Sequence, residues 1–165
     1  MALVNVVNFD EAVRLLADAL RSRGWRIAAA ESCTGGLIAA ACTALAGSSD
    51  WFERGFVTYS NEAKSELLGV DAALIAAHGA VSEEVARAMA EGALRRSPVQ
   101  LAVAVTGIAG PGGAVPGKPV GTVWLAWGTV GAVQAERLQL DGDRAAVRNG
   151  TVSAALQRLI ETAAR

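Results

Sequence analysis

Trp25-Arg26-Ile27-Ala28-Ala29-Ala30-Glu31-Ser32-Cys33-Thr34-Gly35-Gly36-Leu37-Ile38-Ala39-Ala40-Ala41-Cys42 is the stretch whose reading decides the fold. Trp25–Ala30 is short and apolar and reads as a strand. Leu37–Leu45 reads as a buried helix that ends at Gly47. A serine therefore sits at a strand-to-helix turn. Backbone N–H groups at a helix start lack partners inside the helix and can bind a phosphate or an oxyanion. Gly35 and Gly36 let a ligand approach the backbone closely. The plainer alternative is that Ser32 or Thr34 is a helix cap and the two glycines only pack the helix on the sheet.

Working outward, Asn8 and Glu11 bracket a helix start, and Ala12, Leu15, Leu16, Ala19 and Leu20 recur at helical spacing up to Gly24. Phe56–Tyr59 reads as a second strand, with Asn61 capping a short helix that carries Lys64, Leu67 and Leu68. Asp71–Ala77 forms another helical piece closed by His78-Gly79. Ser82-Glu83-Glu84 begins a helix through Arg96, acidic at its start and basic at its end, as the helix dipole favours. Leu101–Val105 is a core strand that enters the glycine-proline loop Thr106–Gly113. Thr122–Trp127 and Ala132–Leu140 read as two strands joined by a tight turn, hence antiparallel. Asp143 caps a last helix through Ala163. Helices interleaved with apolar strands predict one three-layer α/β/α domain over residues 1–165, with a mixed, mainly parallel sheet.

Composition bounds the function. A chain of 165 residues buries roughly 70% of its unfolded surface in one domain and needs no disulfide or metal staple. The net charge of −1, with no basic run, argues against nucleic-acid binding. No apolar run approaches the roughly 20 residues of a membrane span. Met1-Ala2-Leu3-Val4-Asn5 has no basic segment or cleavable pattern, and Cys33 and Cys42 lack metal-ligand spacing. These features predict a cytoplasmic protein. One histidine, His78, leaves no metal site, and no cofactor is expected. The 52% hydrophobic share predicts tightly packed layers or further apolar surface buried in a homo-oligomer.

A serine nucleophile needs a base, and His78 stands at a helix end. A partly desolvated lysine serves instead, because burial lowers its pKa. Lys64 is one of two lysines and follows the strand bearing Tyr59, whose hydroxyl could relay a proton or hold the nucleophile. An ordinary solvated lysine is the alternative. Cys33 is a rival nucleophile or a small buried residue. Gly112 to Lys118 has P-loop spacing, but Pro119 replaces the magnesium-binding Ser or Thr and a strand follows, so the match is coincidental. Thr106–Gly113 reads as a substrate-facing loop at a strand end. Arg144 and Arg148, one turn apart, either hold a phosphate or are solvated surface charge.

Glu31–Gly36, Tyr59-Ser60-Asn61 with Lys64, His78–Ser82, Thr106–Gly113 and Pro119–Val123 occur in the order seen in one family. Over nearly its whole length the chain resembles the CinA C-terminal domain family. The resemblance implies hydrolysis of nicotinamide mononucleotide to nicotinate mononucleotide and ammonia. It implies Ser32 as nucleophile, with Tyr59 and Lys64 activating it and protonating the leaving ammonia. It implies that the amides of Thr34, Gly35 and Gly36, with Thr106 and Gly107, shape the oxyanion and substrate pocket, and that Arg144 and Arg148 bind substrate. The partner it implies is a small nucleotide. A non-catalytic nucleotide-binding module of the same fold is the competing expectation.

Overall fold

The computed structural model describes residues 8–165; the N-terminal reading of Met1–Asn5 lies outside the described residues. Helix α1 (Asp10–Arg23) stops where Gly24 adopts the left-handed conformation at φ 64°. The Asn8 side chain accepts from the backbone N–H of Asp10, at 2.8 Å. Strand β1 (Ile27–Glu31) leads into α2 (Leu37–Thr43), a 3₁₀ turn (Ser48–Asp50) and β2 (Phe52–Val57). Three helices follow: α3 (Asn61–Leu68), α4 (Ala72–His78) and α5 (Glu83–Arg95). The chain closes with β3 (Leu101–Gly107), β4 (Thr122–Thr129), β5 (Ala132–Gln139) and α6 (Arg144–Ala163).

Among the boundaries that differ from the sequence reading, two lie beside the site. The strand expected at Phe56–Tyr59 begins at Phe52 and ends at Val57. Its first half, Phe52-Glu53-Arg54-Gly55, has no apolar alternation, and pairing with β1 makes it a strand. The cap of α3 is Ser60, not Asn61: the Ser60 hydroxyl accepts from the Ala63 N–H. Asp71, Ser82 and Asp143 cap α4, α5 and α6 in the same way.

The sheet order is β2-β1-β3-β4-β5. β1 pairs in parallel with both β2 and β3, whereas β4 runs antiparallel to both β3 and β5. Only β4 reverses direction, so the sheet is mixed. β1 and β3 are buried along both faces, apart from the half-buried Gly107. Their alternate residues feed two cores. Ile27, Ala29, Leu101, Val103 and Val105 meet α1, α2 and α6, with Leu16, Leu20 and Leu156 among the partners. Ala28, Ala30, Ala102 and Ala104 meet α5 through Val85, Ala86, Met89 and Ala90. Small side chains on both surfaces let α5 lie close on the sheet, so much of the alanine is spent inside the layers. Gly92 of α5 goes further: a Cβ there would stand 2.2 Å from the Leu68 carbonyl oxygen.

This order places a topological switch point between β1 and β3, where the chain leaves neighbouring strands in opposite directions. Ligands in open α/β sheets bind at the carboxyl ends of such a pair. Here those ends carry Ser32 and Thr106-Gly107. No described helix is long and apolar enough to cross a membrane.

Candidate active site

The turn after β1 is held from several sides. The Ser32 N–H donates to Val105 O at 3.1 Å, and the Thr58 N–H donates to Glu31 O at 2.8 Å. Gly35 N–H closes back on Ser32 O at 3.0 Å, with Gly35 and Gly36 at φ 58° and 106°. These are left-handed values that a side chain would strain. The start of α2 holds the chain's own anion. The Glu31 carboxylate, 1% exposed, accepts from the Thr34 hydroxyl at 2.6 Å and from the N–H groups of Ile38 and Ala39 at 2.8 and 3.0 Å. Within the described residues the N–H groups of Cys33, Thr34 and Gly36 donate to no backbone carbonyl.

Lys64 projects from the first turn of α3 and is 1% exposed. Its Nζ lies 3.0 Å from Ser32 Oγ, 2.9 Å from Thr58 O and 3.5 Å from Ser60 O. These neighbours suit a neutral amine: two N–H groups for two carbonyls and one lone pair for the Ser32 proton. Burial favours that state and pushes the Lys64 pKa below its ordinary value. Cys33 is different. Burial pushes its thiol up to about 11, which keeps it protonated and unreactive at neutral pH.

Ser32 and Lys64 open onto a cavity of about 210 Å³ also lined by Tyr59, Thr106, Gly107 and Arg144. The Thr106 hydroxyl donates to Ala80 O at 2.9 Å, which ties the α4–α5 connection over the end of β3. Arg144 donates to Tyr59 Oη at 3.0 Å and to Gly110 O at 2.9 Å. Because the Tyr59 oxygen accepts, its own proton is free. Of the chemical candidates singled out in the sequence, these six and Cys33 share one cavity. Thr34, Gly35, Gly36 and Arg148 stand behind its wall instead. The Thr34 hydroxyl is spent on Glu31, and Arg148 donates to Cys33 O at 3.2 Å and Thr34 O at 3.1 Å. A larger groove of about 630 Å³ lies between α1 and α6, away from Ser32 and Lys64, with no Lys, Arg, His or Cys among its lining residues.

Two other readings resolve simply. Lys118 donates to His78 O at 2.8 Å and forms a short bridge with Val115, and β4 follows, so the P-loop-like spacing builds no phosphate loop. His78 faces Glu84 at 3.5 Å. Among the described residues no group of three His, Cys, Asp or Glu side chains is placed to hold a metal ion. Sequence reading missed Glu31, quoted in the motif without a role. Its partners lie three, seven and eight residues on, and they become neighbours only when the turn forms.

A buried lysine thus lies on a serine hydroxyl at the switch point of a mixed α/β sheet. Residues 10–163 match the family model described as the CinA C-terminal domain, and the chain belongs to that family. It is 55% identical over 146 residues to the protein called nicotinamide-nucleotide amidohydrolase PncC in Pseudomonas putida, covering 88% of this chain and 91% of that one. The Escherichia coli K12 protein of the same name is 53% identical, covering 86% of each. The chain spans 34% of the CinA-like protein of Syntrophobacter fumaroxidans, at 51% identity. Among solved structures, the CinA superfamily protein KP700603 from Klebsiella pneumoniae superposes with a TM-score of 0.92 at 42% identity, covering 96% of this chain and 99% of that one.

Proposed function

We propose that this protein hydrolyses nicotinamide mononucleotide to nicotinate mononucleotide and ammonia through an acyl-enzyme on Ser32. The observation that carries the reading is the 3.0 Å contact between Lys64 Nζ and Ser32 Oγ inside a buried carbonyl cage. The relatives named for this reaction, similar over most of both chains, supply the substrate.

In the first half-reaction neutral Lys64 takes the Ser32 proton as Oγ bonds to the carboxamide carbon, and the carbonyl oxygen becomes an oxyanion. The N–H of Cys33, the turn residue on the cavity wall beside Ser32, is the backbone donor placed to stabilise it. Collapse breaks the C–N bond. The nitrogen leaves as ammonia with the proton carried by Lys64, and the free Tyr59 hydroxyl hydrogen-bonds to it as it departs. In the second half-reaction water adds to the ester carbon while Lys64 takes its proton. The ester bond then breaks, the proton on Lys64 returns to Ser32, and the product leaves as a carboxylic acid that ionises in water, its proton taken up by the released ammonia. Arg144, the exposed cation on the cavity, faces the substrate phosphate. We place the reaction in the cytoplasm, where the free thiols of Cys33 and Cys42 stay reduced, and expect a homo-oligomer.

The test is ammonia release from nicotinamide mononucleotide by purified protein, with Ser32→Ala alongside. Release by wild type alone supports both substrate and nucleophile. Substrate binding without release by either protein would leave the non-catalytic nucleotide-binding module as the reading.

A further inference from the structure

The mechanism above uses Ser32, Lys64, Tyr59 and Arg144, and leaves two charged side chains beside the nucleophile turn unexplained. One is Glu31, 1% exposed and held by N–H and O–H donors alone among the described residues. The other is Arg148, which points into the back of the turn instead of the cavity. They hold the turn and the start of α2 from two directions and meet at Thr34. Glu31 takes the donors: the Thr34 hydroxyl and the first free N–H groups of α2. Arg148 takes the acceptors: the carbonyls of Cys33 and Thr34.

We propose that Glu31 and Arg148 are positioning residues that clamp the Ser32–Gly36 turn, fixing Ser32 Oγ against Lys64 and keeping the turn's free N–H groups in place. The inference rests on the reading of Ser32 as nucleophile.

The chemistry of the clamp is specific. Both Glu31 oxygens accept: Oε1 from Thr34 and Ile38, Oε2 from Ala39. A glutamine has one acceptor oxygen, and its NH₂ would face an N–H group, donor against donor. An aspartate is one methylene short. On the other side, the planar fork of Arg148 spans two successive carbonyls, which a lysine ammonium does not reproduce. The fork lies beside Gly35, where the φ of 58°, not a lack of space, calls for glycine: a Cβ there would stand in ordinary contact, 3.4 Å from Arg148 Nη2. Glu31 and Arg148 lie 117 positions apart in sequence (148 − 31), so α6 is tied to the end of β1 through this turn.

The test uses E31Q and R148A in the full chain, with two readouts. The first is kcat and KM for nicotinamide mononucleotide. The second is the rate at which a small fluorophosphonate labels Ser32, which reads nucleophilicity without the substrate. Each variant is expected to lose roughly 10- to 100-fold in both kcat and labelling rate, with KM within about threefold of wild type, because a displaced nucleophile still leaves a pocket. Guanidinium ion added to R148A is expected to restore part of the labelling rate. A rise in KM with unchanged labelling for R148A would make it a phosphate ligand and overturn its place in the clamp. Unchanged labelling in E31Q would overturn the role of Glu31. Should E31Q fail to fold, Thr34→Val removes one donor to the carboxylate and carries the same expectation. Wild type that labels at Ser32 yet releases no ammonia would sink the proposed substrate while leaving the clamp testable.

Discussion

Two pairs of side chains face the same cavity at nearly the same separation and in opposite surroundings. Lys64 and Ser32 are 3.0 Å apart and 1% and 8% exposed. Arg144 and Tyr59 are also 3.0 Å apart, yet Tyr59 is 61% exposed. In the dry pair a proton's position is decided by burial, since a buried ammonium loses its hydration and gains only carbonyl dipoles in return. In the wet pair water screens the guanidinium, and either group can turn to meet a ligand. On the proposed reading the dry pair moves the proton of the nucleophile, and the wet pair meets the substrate, Arg144 at the phosphate and Tyr59 at the leaving nitrogen.

The comparison breaks first at Ser32. Ser32→Ala should lower kcat by about a thousandfold or more with the fold intact, because no other activated nucleophile lines the cavity. Retained ammonia release would move the chemistry elsewhere. Lys64→Met should cost a similar factor of about a thousand in kcat. It should also sharpen the contrast through stability. Folding depresses the Lys64 pKa, so the unfolded chain holds this proton more tightly and native stability falls as pH drops below the ordinary lysine range. The variant lacks that slope. Its denaturation midpoint, measured against wild type from pH 10 to pH 6, should gain most at the acidic end; a constant difference would mean that Lys64 titrates alike folded and unfolded. In wild type the same shift predicts that kcat/KM rises with pH as Lys64 loses its proton, along a limb below the usual lysine pKa that Tyr59→Phe leaves in place.

Effects at the wet pair should be smaller and differently distributed. Tyr59→Phe removes the hydroxyl that meets the leaving nitrogen and should lower kcat by about a hundredfold, read by steady-state kinetics. A loss as large as that of Lys64→Met would place Tyr59 in the dry chemistry. Arg144→Ala should raise KM about tenfold, and that increase should vanish with the phosphate-free nucleoside as substrate. A tenfold change for the nucleoside as well would assign Arg144 to the loop at Gly110 instead of the phosphate.

The same divide between local and distant interactions explains what could be read from the sequence. Caps such as Asp71, Ser82 and Asp143, and the apolar runs of β1 and β3, depend on neighbours within a few residues, so the α/β layers were legible. The gathering of Ser32, Tyr59, Lys64, Thr106, Gly107 and Arg144 was legible only through ordered motifs, since no periodicity links the end of β1 to the start of α6. The contacts of Arg148 with the backbone of residues 33 and 34 were not legible, because a guanidinium that binds carbonyls looks like one that awaits a phosphate. Edge strand β2 was half missed for a related reason: its partner strand, not its own pattern, makes Phe52–Gly55 extended.

The central claim is that the Ser32–Lys64 pair cleaves the amide through a covalent ester. Hydroxylamine tests it most directly, because it competes with water for an acyl-enzyme and leaves a hydroxamate. Wild type given nicotinamide mononucleotide and hydroxylamine should form the hydroxamate of nicotinate mononucleotide at the expense of the carboxylate, and Ser32→Ala should form neither. Ammonia release at the full wild-type rate with no hydroxamate would mean that water attacks the amide directly, and the account of Ser32 as nucleophile would be wrong.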